Sequence, residues 1–505
     1  MMSRIRAPKL PQNYPWLNTD KPLSLESLKG RVVILDFWTY CCINCLHVLP
    51  DLKFLEQKYP DSLTIIGIHS AKFENEKDVE NVRQAILRYD IGHPVLVDSG
   101  SRVWQQYAVR AWPTFKIIDP EGYIVGSVSG EGKRDVLDEI IGKLIEEHQD
   151  KGTINFSEVS SILEKQKQPL TTPLAFPGKV LADSDTNQLF VADSGHHRIV
   201  VSTLEGEVLH IIGSGKAGLI DGSFYEAQFF APQGMTFDAK NQILYVADTE
   251  NHALRKIDFT TQQVETIAGT GEKSSQISPH SGVARETRLN SPWDVDKIGD
   301  RIFIAMAGSH QIWLLQLDTG MISTYAGTGA EACVDGSLTE SAFAQPSGIS
   351  TDGNELFVAD SEISSIRAVG INEHPKVRTI CGSGGLFGFG DKDGRGPEVL
   401  LQHCLGIEYT QNYVWVADTY NHKIKRVEYH AGLCLTMLGD GTAGHQDGQG
   451  INCQFFEPSG LSAIAQHLFI ADTNNCIIRK VELDTLQVTT VNFPGLCAPD
   501  VCLPS

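Results

Sequence analysis

Trp38-Thr39-Tyr40-Cys41-Cys42-Ile43-Asn44-Cys45 is the stretch that decides the fold of the first part of the chain. It follows the apolar run Val32-Val33-Ile34-Leu35, which predicts a strand buried on both faces of a sheet. Apolar residues recur after it at roughly helical spacing, from Leu46 to Leu55. A buried strand, a Cys-x-x-Cys pair and a helix in this order predict a redox-active dithiol.

Strands and helices alternate through the rest of the first 150 residues. Apolar runs predict strands at 63–69 and 93–98 and a hairpin of strands 114–119 and 123–128 around the turn Pro120-Glu121-Gly122. Amphipathic spacing predicts helices at 76–88, 103–107 and 136–147. Pro50 is expected to kink the helix after the cysteines, because proline lacks an N–H. We therefore predict a small α/β domain over residues 1–150.

This order of elements resembles the thioredoxin fold, most closely its membrane-anchored and secreted reductase branch, over residues 15–148. Besides the cysteines, the resemblance rests on Leu25-x-x-Leu28-Lys29-Gly30, Phe37-Trp38, Pro50 and Trp112-Pro113-Thr114. It implies that Asp36, six residues before Cys42, is a buried carboxylate. It also implies that the bond between Trp112 and Pro113 is cis and lies opposite the two sulfurs.

The site residues that we predict are Cys42, Cys45, Asp36 and Pro113. A helix N-terminus lowers the pKa of a thiol because its unpaired N–H groups favour the thiolate, so Cys42 is the expected nucleophile. Cys45, one helical turn later, is the expected resolving thiol that attacks the mixed disulfide. Asp36 is expected to take the proton of Cys45, and Pro113 to present a backbone edge to an extended substrate.

Alternatives for this site stay open. A Cys-x-x-Cys pair can be half of a zinc site, although residues 1–170 contain no second pair. Asp36 can be a half-exposed residue at the end of a strand, and Trp112-Pro113 can be a trans turn. Ile43-Asn44 replaces the Gly-Pro or Pro-Pro usual in the family, so the redox direction is not assigned. Cys41 replaces a family tryptophan and is a packing residue or an additional resolving thiol.

The charge and the cysteine content limit the classes of partner and the cellular compartment. The net charge is −20, and residues 171–505 carry 21 basic against 39 acidic side chains. Such an acidic surface disfavours nucleic acid and anionic membranes as partners. The first residues lack an apolar leader and no run approaches about 18 apolar residues, so a cytoplasmic location is expected. The 11 cysteines are scattered, which favours reduced thiols over a disulfide framework.

Two segments are expected to lie outside folded domains. Residues 151–173 contain Gly152, a polar helical stretch at 157–167 and two prolines, which predicts a linker; packing on the second domain is the alternative. Residues 494–505 are expected to form a frayed tail, although Cys497 and Cys502 can form a local disulfide or a metal clip.

The remainder of the chain repeats one pattern six times. Its most regular part is an apolar run ending in Asp, as in Leu244-Tyr-Val-Ala-Asp248 and Val414-Trp-Val-Ala-Asp418. The equivalent positions are 193, 248, 306, 360, 418 and 472, which are 55, 58, 54, 58 and 54 residues apart. Each unit contains about four short strands, the content of one propeller blade. We predict a six-bladed β-propeller over residues 174–493.

The units resemble NHL repeats, as in Asn251-His252-x-Leu254 and Asn421-His422-x-Ile424. We interpret the recurring Asp and His as structural, because residues repeated in every blade lie around the ring and do not converge. The Asp is expected to accept N–H bonds from the following turn, and the His to pack against the next strand. Met306, Ser364 and Cys476 replace them in single units. Long loops between units are expected to form the binding face.

The combination of both domains resembles the family of NHL repeat-containing protein 2 and its bacterial relatives. The resemblance implies a multidomain fold, α/β followed by all-β. We expect a cytosolic thiol–disulfide oxidoreductase whose propeller binds a protein partner. A non-catalytic scaffold with a degenerate or redox-sensing thioredoxin domain is the first alternative, and a small-molecule enzyme in the propeller channel is the second. No cofactor and no metal ligand are predicted, and the oligomeric state is not assigned.

Overall fold

The computed structural model describes residues 5–155, 162–499 and 501. The chain forms two compact units, Met1–Pro169 and Leu170–Ser505, and their boundary falls inside the predicted linker. Among the described helices, none is both long enough and apolar enough to cross a membrane.

The first unit contains a seven-stranded sheet flanked by helices. Its strands are β1 Ile5–Arg6, β2 Trp16–Leu17, β3 Val32–Trp38, β4 Leu63–His69, β5 Val95–Val97, β6 Thr114–Ile118 and β7 Tyr123–Ser129. Its helices are α1 Ile43–Leu46, α2 Leu49–Lys58, α3 Val79–Arg88, α4 Arg102–Gln106, α5 Arg134–Asp150 and α6 Glu164–Lys167. The strand order is β1-β7-β6-β3-β4-β5-β2, with β3 parallel to β4 and antiparallel to β6. The unit is a thioredoxin-like domain with the predicted buried strand at its centre.

The helix after the cysteines is interrupted, as Pro50 predicts. Helix α1 ends at Leu46, and α2 begins at Leu49 with Pro50 in its first turn. Proline is tolerated there because an N–H in the first turn has no partner within the helix. The interruption leaves α1 as a single turn that carries Cys45.

The linker differs from the expected spacer where the structure describes it. Of the helix predicted at 157–167, residues 157–161 lie outside the described residues. Helix α6 packs on the first unit: the Glu164 N–H donates to Asn18 Oδ1 at 2.7 Å, and the Glu164 carboxylate pairs with Arg83. This short helix is therefore part of the thioredoxin-like unit.

The second unit is a six-bladed β-propeller whose innermost strands contact one another around a closed ring. The strands of the first three blades are β8 Lys179–Asp183, β9 Gln188–Asp193, β10 Arg198–Thr203, β11 Val208–Ile212, β12 Gly222–Ser223, β13 Pro232–Asp238, β14 Ile243–Asp248, β15 Ala253–Asp258, β16 Gln263–Ala268, β17 Ser281–Val283, β18 Pro292–Ile298, β19 Arg301–Met306, β20 Gln311–Gln316 and β21 Met321–Ala326. Those of the last three are β22 Gly336–Ser337, β23 Pro346–Thr351, β24 Glu355–Asp360, β25 Ser365–Gly370, β26 Lys376–Cys381, β27 Gly394–Arg395, β28 Gly406–Thr410, β29 Tyr413–Asp418, β30 Lys423–Glu428, β31 Leu433–Leu438, β32 Gly448–Gln449, β33 Pro458–Ile464, β34 His467–Asp472, β35 Ile477–Glu482 and β36 Gln487–Val491. Blades two to six each carry a short fifth strand at the outer edge.

The recurring His joins each blade to the next one. His252 Nδ1 accepts the N–H of Ser291, which precedes the first strand of the following blade, at 3.1 Å. The same bond is formed by His197, His310 and His422 with Ala231, Gln345 and Glu457. Where the His is replaced, Ser364 Oγ and Cys476 Sγ are the acceptors, and the sulfur bond, to the Phe176 N–H at 3.4 Å, closes the ring. The structural interpretation therefore holds for this residue.

The recurring Asp is structural too, but its partners differ from those expected. Asp248 Oδ1 accepts the N–H of Phe230, which leads into the same blade, rather than an N–H of the following turn. Its Oδ2 accepts from the Asn251 side chain and from Arg255, both at 2.8 Å. Buried pairs at the same spacing of seven residues are Asp360–Arg367, Asp418–Lys425 and Asp472–Arg479. In the first blade Asp193 pairs instead with Arg198, five residues later. In the third blade, apolar Met306 and Trp313 occupy both positions of the pair.

The C-terminal segment is packed where a frayed tail was expected. Leu496 and Ala498 are buried, and the Cys497 carbonyl accepts from Arg198 Nη2 at 3.0 Å. Cys497 is disulfide-bonded, whereas nine other described cysteines are free thiols. The expectation of a loose tail is therefore wrong for residues 496–498, because an arginine of the first blade binds this segment.

Candidate redox site

Cys42 and Cys45 lie at the start of α1 with opposite accessibility. Cys42 is the residue that caps the helix, with extended backbone angles of −84° and 114°, and its side chain is half-buried. Cys45 has no exposed surface, and its N–H donates to the Cys42 carbonyl at 3.0 Å. Of these two sulfurs, only that of Cys42 can meet a macromolecular substrate.

The Cys45 thiol is held in its protonated form. Burial raises its pKa well above the ordinary value for cysteine, and the neighbouring Cys42 sulfur raises it further. The negative charge of Asp36 acts in the same direction, whereas a hydrogen bond to the backbone of Thr39 lowers the pKa. Such a thiol becomes a nucleophile only when a base removes its proton.

Asp36 lies in β3, two residues before the strand ends at Trp38, and is fully buried. Neither of its carboxylate oxygens has a hydrogen-bond partner within the described part of the chain. Burial raises the pKa of Asp36 to about 7, against a smaller opposing effect of His93. A half-exposed Asp36 is thereby excluded. A carboxyl group that titrates near neutral pH can both take and return a proton at little cost.

His93 is a neighbour of Asp36 that sequence patterns did not single out. It precedes β5 and is buried, and its Nδ1 faces Glu56 Oε1 of α2 at 3.6 Å. Its charge lowers the pKa of Asp36, so the two side chains interact. The sequence contained only a histidine at the start of an extended segment, which carries no signal for a partner 57 residues earlier.

Glu76 is the second residue that sequence reasoning missed. It is fully buried, and its Oε1 accepts from Thr39 Oγ1 at 2.6 Å and from the Cys41 N–H at 3.0 Å. Its Oε2 accepts the N–H groups of Lys72 and Phe73, both at 2.9 Å. The carboxylate thus joins the loop that presents Cys42 to the loop after β4.

The role of Glu76 also shifts a helix boundary. The predicted helix began at Glu76, whereas α3 begins at Val79 and is capped by Asp78, whose side chain accepts the Glu80 N–H at 2.7 Å. An acidic residue just before an amphipathic stretch is typical of a helix start. Here Asp78 caps the helix, and the side chain of Glu76 is buried in the interior of the domain.

Two further residues of the motif have definite positions. Cys41 is buried, with its sulfur 3.7 Å from Thr39 Oγ1, which favours a packing role over that of an additional resolving thiol. The bond between Trp112 and Pro113 is cis, as the resemblance implied, so the trans alternative is wrong. Pro113 is buried and its carbonyl accepts the Gly130 N–H at 2.9 Å.

Comparisons with known proteins agree with both halves of the fold. The thioredoxin-like family Thioredoxin_8 matches residues 30–124. Protein SUPPRESSOR OF QUENCHING 1, chloroplastic, of Arabidopsis thaliana is 45% identical over 514 residues, which cover 97% of this chain and 48% of that protein. The chain therefore spans about half the length of this relative.

Two other relatives match different extents of the chain. NHL repeat-containing protein 2 of Bos taurus is 41% identical over 524 residues, which cover 96% of this chain and 71% of that protein. Thiol-disulfide oxidoreductase ResA of Bacillus thuringiensis subsp. konkukian is 30% identical over 125 residues, which cover 25% of this chain and 69% of that protein. One match thus extends through the propeller, and the other is confined to about a quarter of the chain.

Proposed function

Because the chain belongs to the family of NHL repeat-containing protein 2, we propose that it is a thiol–disulfide oxidoreductase whose propeller binds its protein partner. One observation carries the redox part. The half-buried Cys42 caps the helix that contains the fully buried Cys45, and the buried carboxyl of Asp36 contributes to raising the pKa of Cys45. The name of the Bacillus relative, a thiol-disulfide oxidoreductase, supports the same assignment.

In the reducing direction, the Cys42 thiolate attacks one sulfur of the partner's disulfide, and the other sulfur leaves with the electron pair of the broken bond. Asp36 then takes the proton of Cys45, and the resulting thiolate attacks the Cys42 sulfur. The partner's second sulfur leaves and takes up a proton. Two electrons have then moved to the partner, and Cys42 and Cys45 are joined as a disulfide. The reverse sequence oxidises a dithiol.

The buried carboxyl suits this proton transfer. With a pKa of about 7, Asp36 is divided between its two protonation states near neutral pH, so it can act as base in one direction and as acid in the other. Glu76 contributes by positioning, because it holds the backbone at Cys41 while the sulfurs react. Ile43 and Asn44 between the cysteines influence the potential, which in this class of proteins lies between about −270 and −120 mV.

We assign partner binding to the segments that connect consecutive blades. Large apolar side chains are exposed there and recur around the ring: Ile220, Tyr225, Val334, Phe387 and Ile451. Exposed apolar groups within an otherwise acidic surface favour a protein partner with basic and apolar surface. The nine free thiols support action in a reducing compartment such as the cytosol. The word chloroplastic describes the Arabidopsis relative.

A trapping experiment tests the redox assignment. The wild-type chain is expected to reduce or oxidise a model protein disulfide with turnover, and Cys42→Ser to abolish it. Cys45→Ser is expected to accumulate a mixed disulfide through Cys42, detectable by mass spectrometry, because the resolving thiol is missing. Cys41→Ser is the control, since that thiol is buried beside the site, and it should retain turnover.

The same experiment separates the oxidoreductase from a scaffold. If the wild-type chain neither reduces nor oxidises the model disulfide and Cys45→Ser traps nothing from a cell extract, the oxidoreductase proposal fails. The domain is then a binding module with vestigial cysteines.

A further inference from the structure

A cluster of ligand-bearing side chains lies in the thioredoxin-like unit outside the redox site. Asp119 follows β6, Glu121 lies in the turn before β7, and His148 is near the end of α5. One ligand atom of each residue lies within 4.8 Å of the other two. Asp119 and His148 are buried, with 2% and 1% of their surface exposed. The cluster therefore joins a hairpin turn to a helix end in the interior.

Asp119 contributes a buried carboxylate oxygen that has no partner among the described residues. Its Oδ1 accepts the N–H groups of Glu121 and Tyr123, at 3.0 and 2.9 Å. Its Oδ2 is buried and, over the residues that the structure describes, has no hydrogen-bond partner. Buried carboxylate oxygens are normally hydrogen-bonded or bound to a metal. The turn thus fixes the carboxylate and leaves one oxygen available to a ligand.

His148 is oriented in the way that metal-binding histidines usually are. Its Nδ1 lies 2.7 Å from Thr153 Oγ1. A partner of this kind fixes the ring and its tautomer, so that the other nitrogen presents a lone pair to a metal. Within the described residues the imidazole forms no hydrogen bond to Asp119 or Glu121. Neither carboxylate therefore uses the second ring nitrogen of His148.

We propose that Asp119, Glu121 and His148 bind one zinc ion. Zinc takes imidazole nitrogen at about 2.0–2.1 Å and carboxylate oxygen at about 2.0–2.2 Å. The three ligand atoms, which lie within 4.8 Å of one another, would draw together around the ion. The two carboxylates neutralise the dication, and three protein ligands leave the fourth position to water. The imidazole favours zinc over calcium and magnesium, which prefer oxygen ligands alone.

The cluster lies where an ion would tie the hairpin turn to the end of α5. The Pro120 carbonyl of the turn accepts the Gly30 N–H, and the Gly30 carbonyl accepts the Asn155 N–H, both at 2.9 Å. The ion would add a link between this turn and the end of α5. The site is separate from the two cysteines and takes no part in the disulfide exchange.

Zinc binding by the full-length chain tests this site. The parent is Cys42→Ser/Cys45→Ser, which removes thiolate ligands of the redox site, and zinc is titrated against a chromophoric chelator after dialysis with EDTA. We expect one zinc per chain in the parent and none in Asp119→Asn or His148→Gln. Glu147→Gln is the matched control, because that exposed carboxylate pairs with Lys151, and it should bind zinc as the parent does.

A milder variant keeps the test independent of folding defects. Thr153→Ala removes only the partner of His148, and loss of such a partner lowers metal affinity about 10- to 100-fold. Circular dichroism checks that each variant is folded, and zinc should raise the melting temperature of the parent but not of Asp119→Asn. The proposal is overturned if the parent binds no zinc, or if Asp119→Asn and Thr153→Ala bind it with unchanged affinity.

Discussion

At the scale of single residues, the buried carboxyl of Asp36 links stability to pH. Its pKa is about 7 in the folded chain against 3.8 for the ordinary group, so the folded state retains a proton that the unfolded chain releases. Stability contributed by the protonated form is therefore lost as pH rises from about 4 to 7 and does not fall further above that. Three pH units correspond to about 4 kcal/mol.

Asp36→Asn removes this dependence, because an amide cannot ionise. Measured on the oxidised protein, where Cys45 does not titrate, the variant should gain stability relative to wild type from pH 4 to pH 7, by up to about 4 kcal/mol. Urea unfolding at several pH values gives the difference. A difference that does not change with pH would show that Asp36 does not titrate in this range. The variant should also resolve mixed disulfides more slowly, since the base is missing.

Replacement of the buried Glu76 should lower both the stability of the chain and its turnover. Glu76→Gln turns an acceptor of four hydrogen bonds into a group whose amide nitrogen faces donors, which costs about 2–3 kcal/mol. Turnover should fall because the loop before Cys42 loosens. The control is Glu74→Gln, an exposed residue paired with Lys77, which should change stability by less than about 0.5 kcal/mol. Equal effects of both variants would contradict the role of Glu76.

Some of these residues could be predicted from the sequence and others could not, for a physical reason. Cys42, Cys45 and Asp36 lie within ten residues of one another on a strand and the helix after it, so a local motif places them. Glu76 reaches Cys41 across 35 residues of chain. A contact of that kind depends on how two loops meet, which no local pattern encodes. The same reason hides the cluster of Asp119 and His148.

At the scale of secondary structure elements, five of the six blades contain a buried ion pair between neighbouring strands. In the fourth blade, Asp360 at the end of β24 pairs with Arg367 of β25 at 3.0 Å, and both side chains are fully buried. Arg367→Met leaves the carboxylate without its partner, which costs about 3–5 kcal/mol.

The third blade indicates which residues can replace the ion pair with a smaller loss of stability. Met306 and Trp313 occupy the equivalent positions there, so Asp360→Met/Arg367→Trp should be less destabilised than Arg367→Met alone. The free energy of unfolding of the propeller, from urea denaturation, decides between the two outcomes. A double variant that is at least as destabilised as Arg367→Met would mean that the residues of the third blade cannot replace the ion pair.

Element boundaries follow from sequence only where a pattern is strong. The continuous apolar runs of β3 and β4 and the interruption at Pro50 are legible because burial and the missing N–H act locally. The two-residue strands β1 and β2 are too short to show alternation and were not predicted. The Asp–Arg pairs were missed because the arginine lies on the next strand, beyond the repeated motif.

At the scale of the whole molecule, a sulfur takes part in joining the last blade of the propeller to the first, beside hydrogen bonds such as that from Thr473 Oγ1 to the Pro177 carbonyl. The Phe176 N–H, which leads into the first blade, donates to Cys476 Sγ of the last blade at 3.4 Å. Cys476→Ala removes this acceptor and should cost about 1 kcal/mol of propeller stability in urea denaturation. Cys476→Ser is the control, because Ser364 Oγ forms the same bond in the fourth blade. A loss of the same size in both variants would refute this role of the sulfur.

The six-fold period made the ring predictable, because each unit buries its apolar face only against its neighbours. The ends of the domains were less predictable. Polar composition indicated a spacer and a loose tail, whereas α6 packs on the first unit and Leu496 is buried. In both segments, specific contacts such as that between Glu164 and Asn18 hold residues that composition alone predicted to be loose.

The central claim is that Cys42 and Cys45 form a reversible redox couple, and an equilibrium titration tests it most directly. The full-length chain is equilibrated over a range of dithiol and disulfide ratios, and the fraction of the Cys42–Cys45 disulfide is measured by thiol alkylation and mass spectrometry. We predict a single two-electron transition, about 30 mV for each tenfold change in ratio, with a midpoint between about −270 and −120 mV. The transition should be unchanged in Cys41→Ser. If these cysteines remain reduced over the whole range, or oxidise without reversal, the chain is not a thiol–disulfide oxidoreductase.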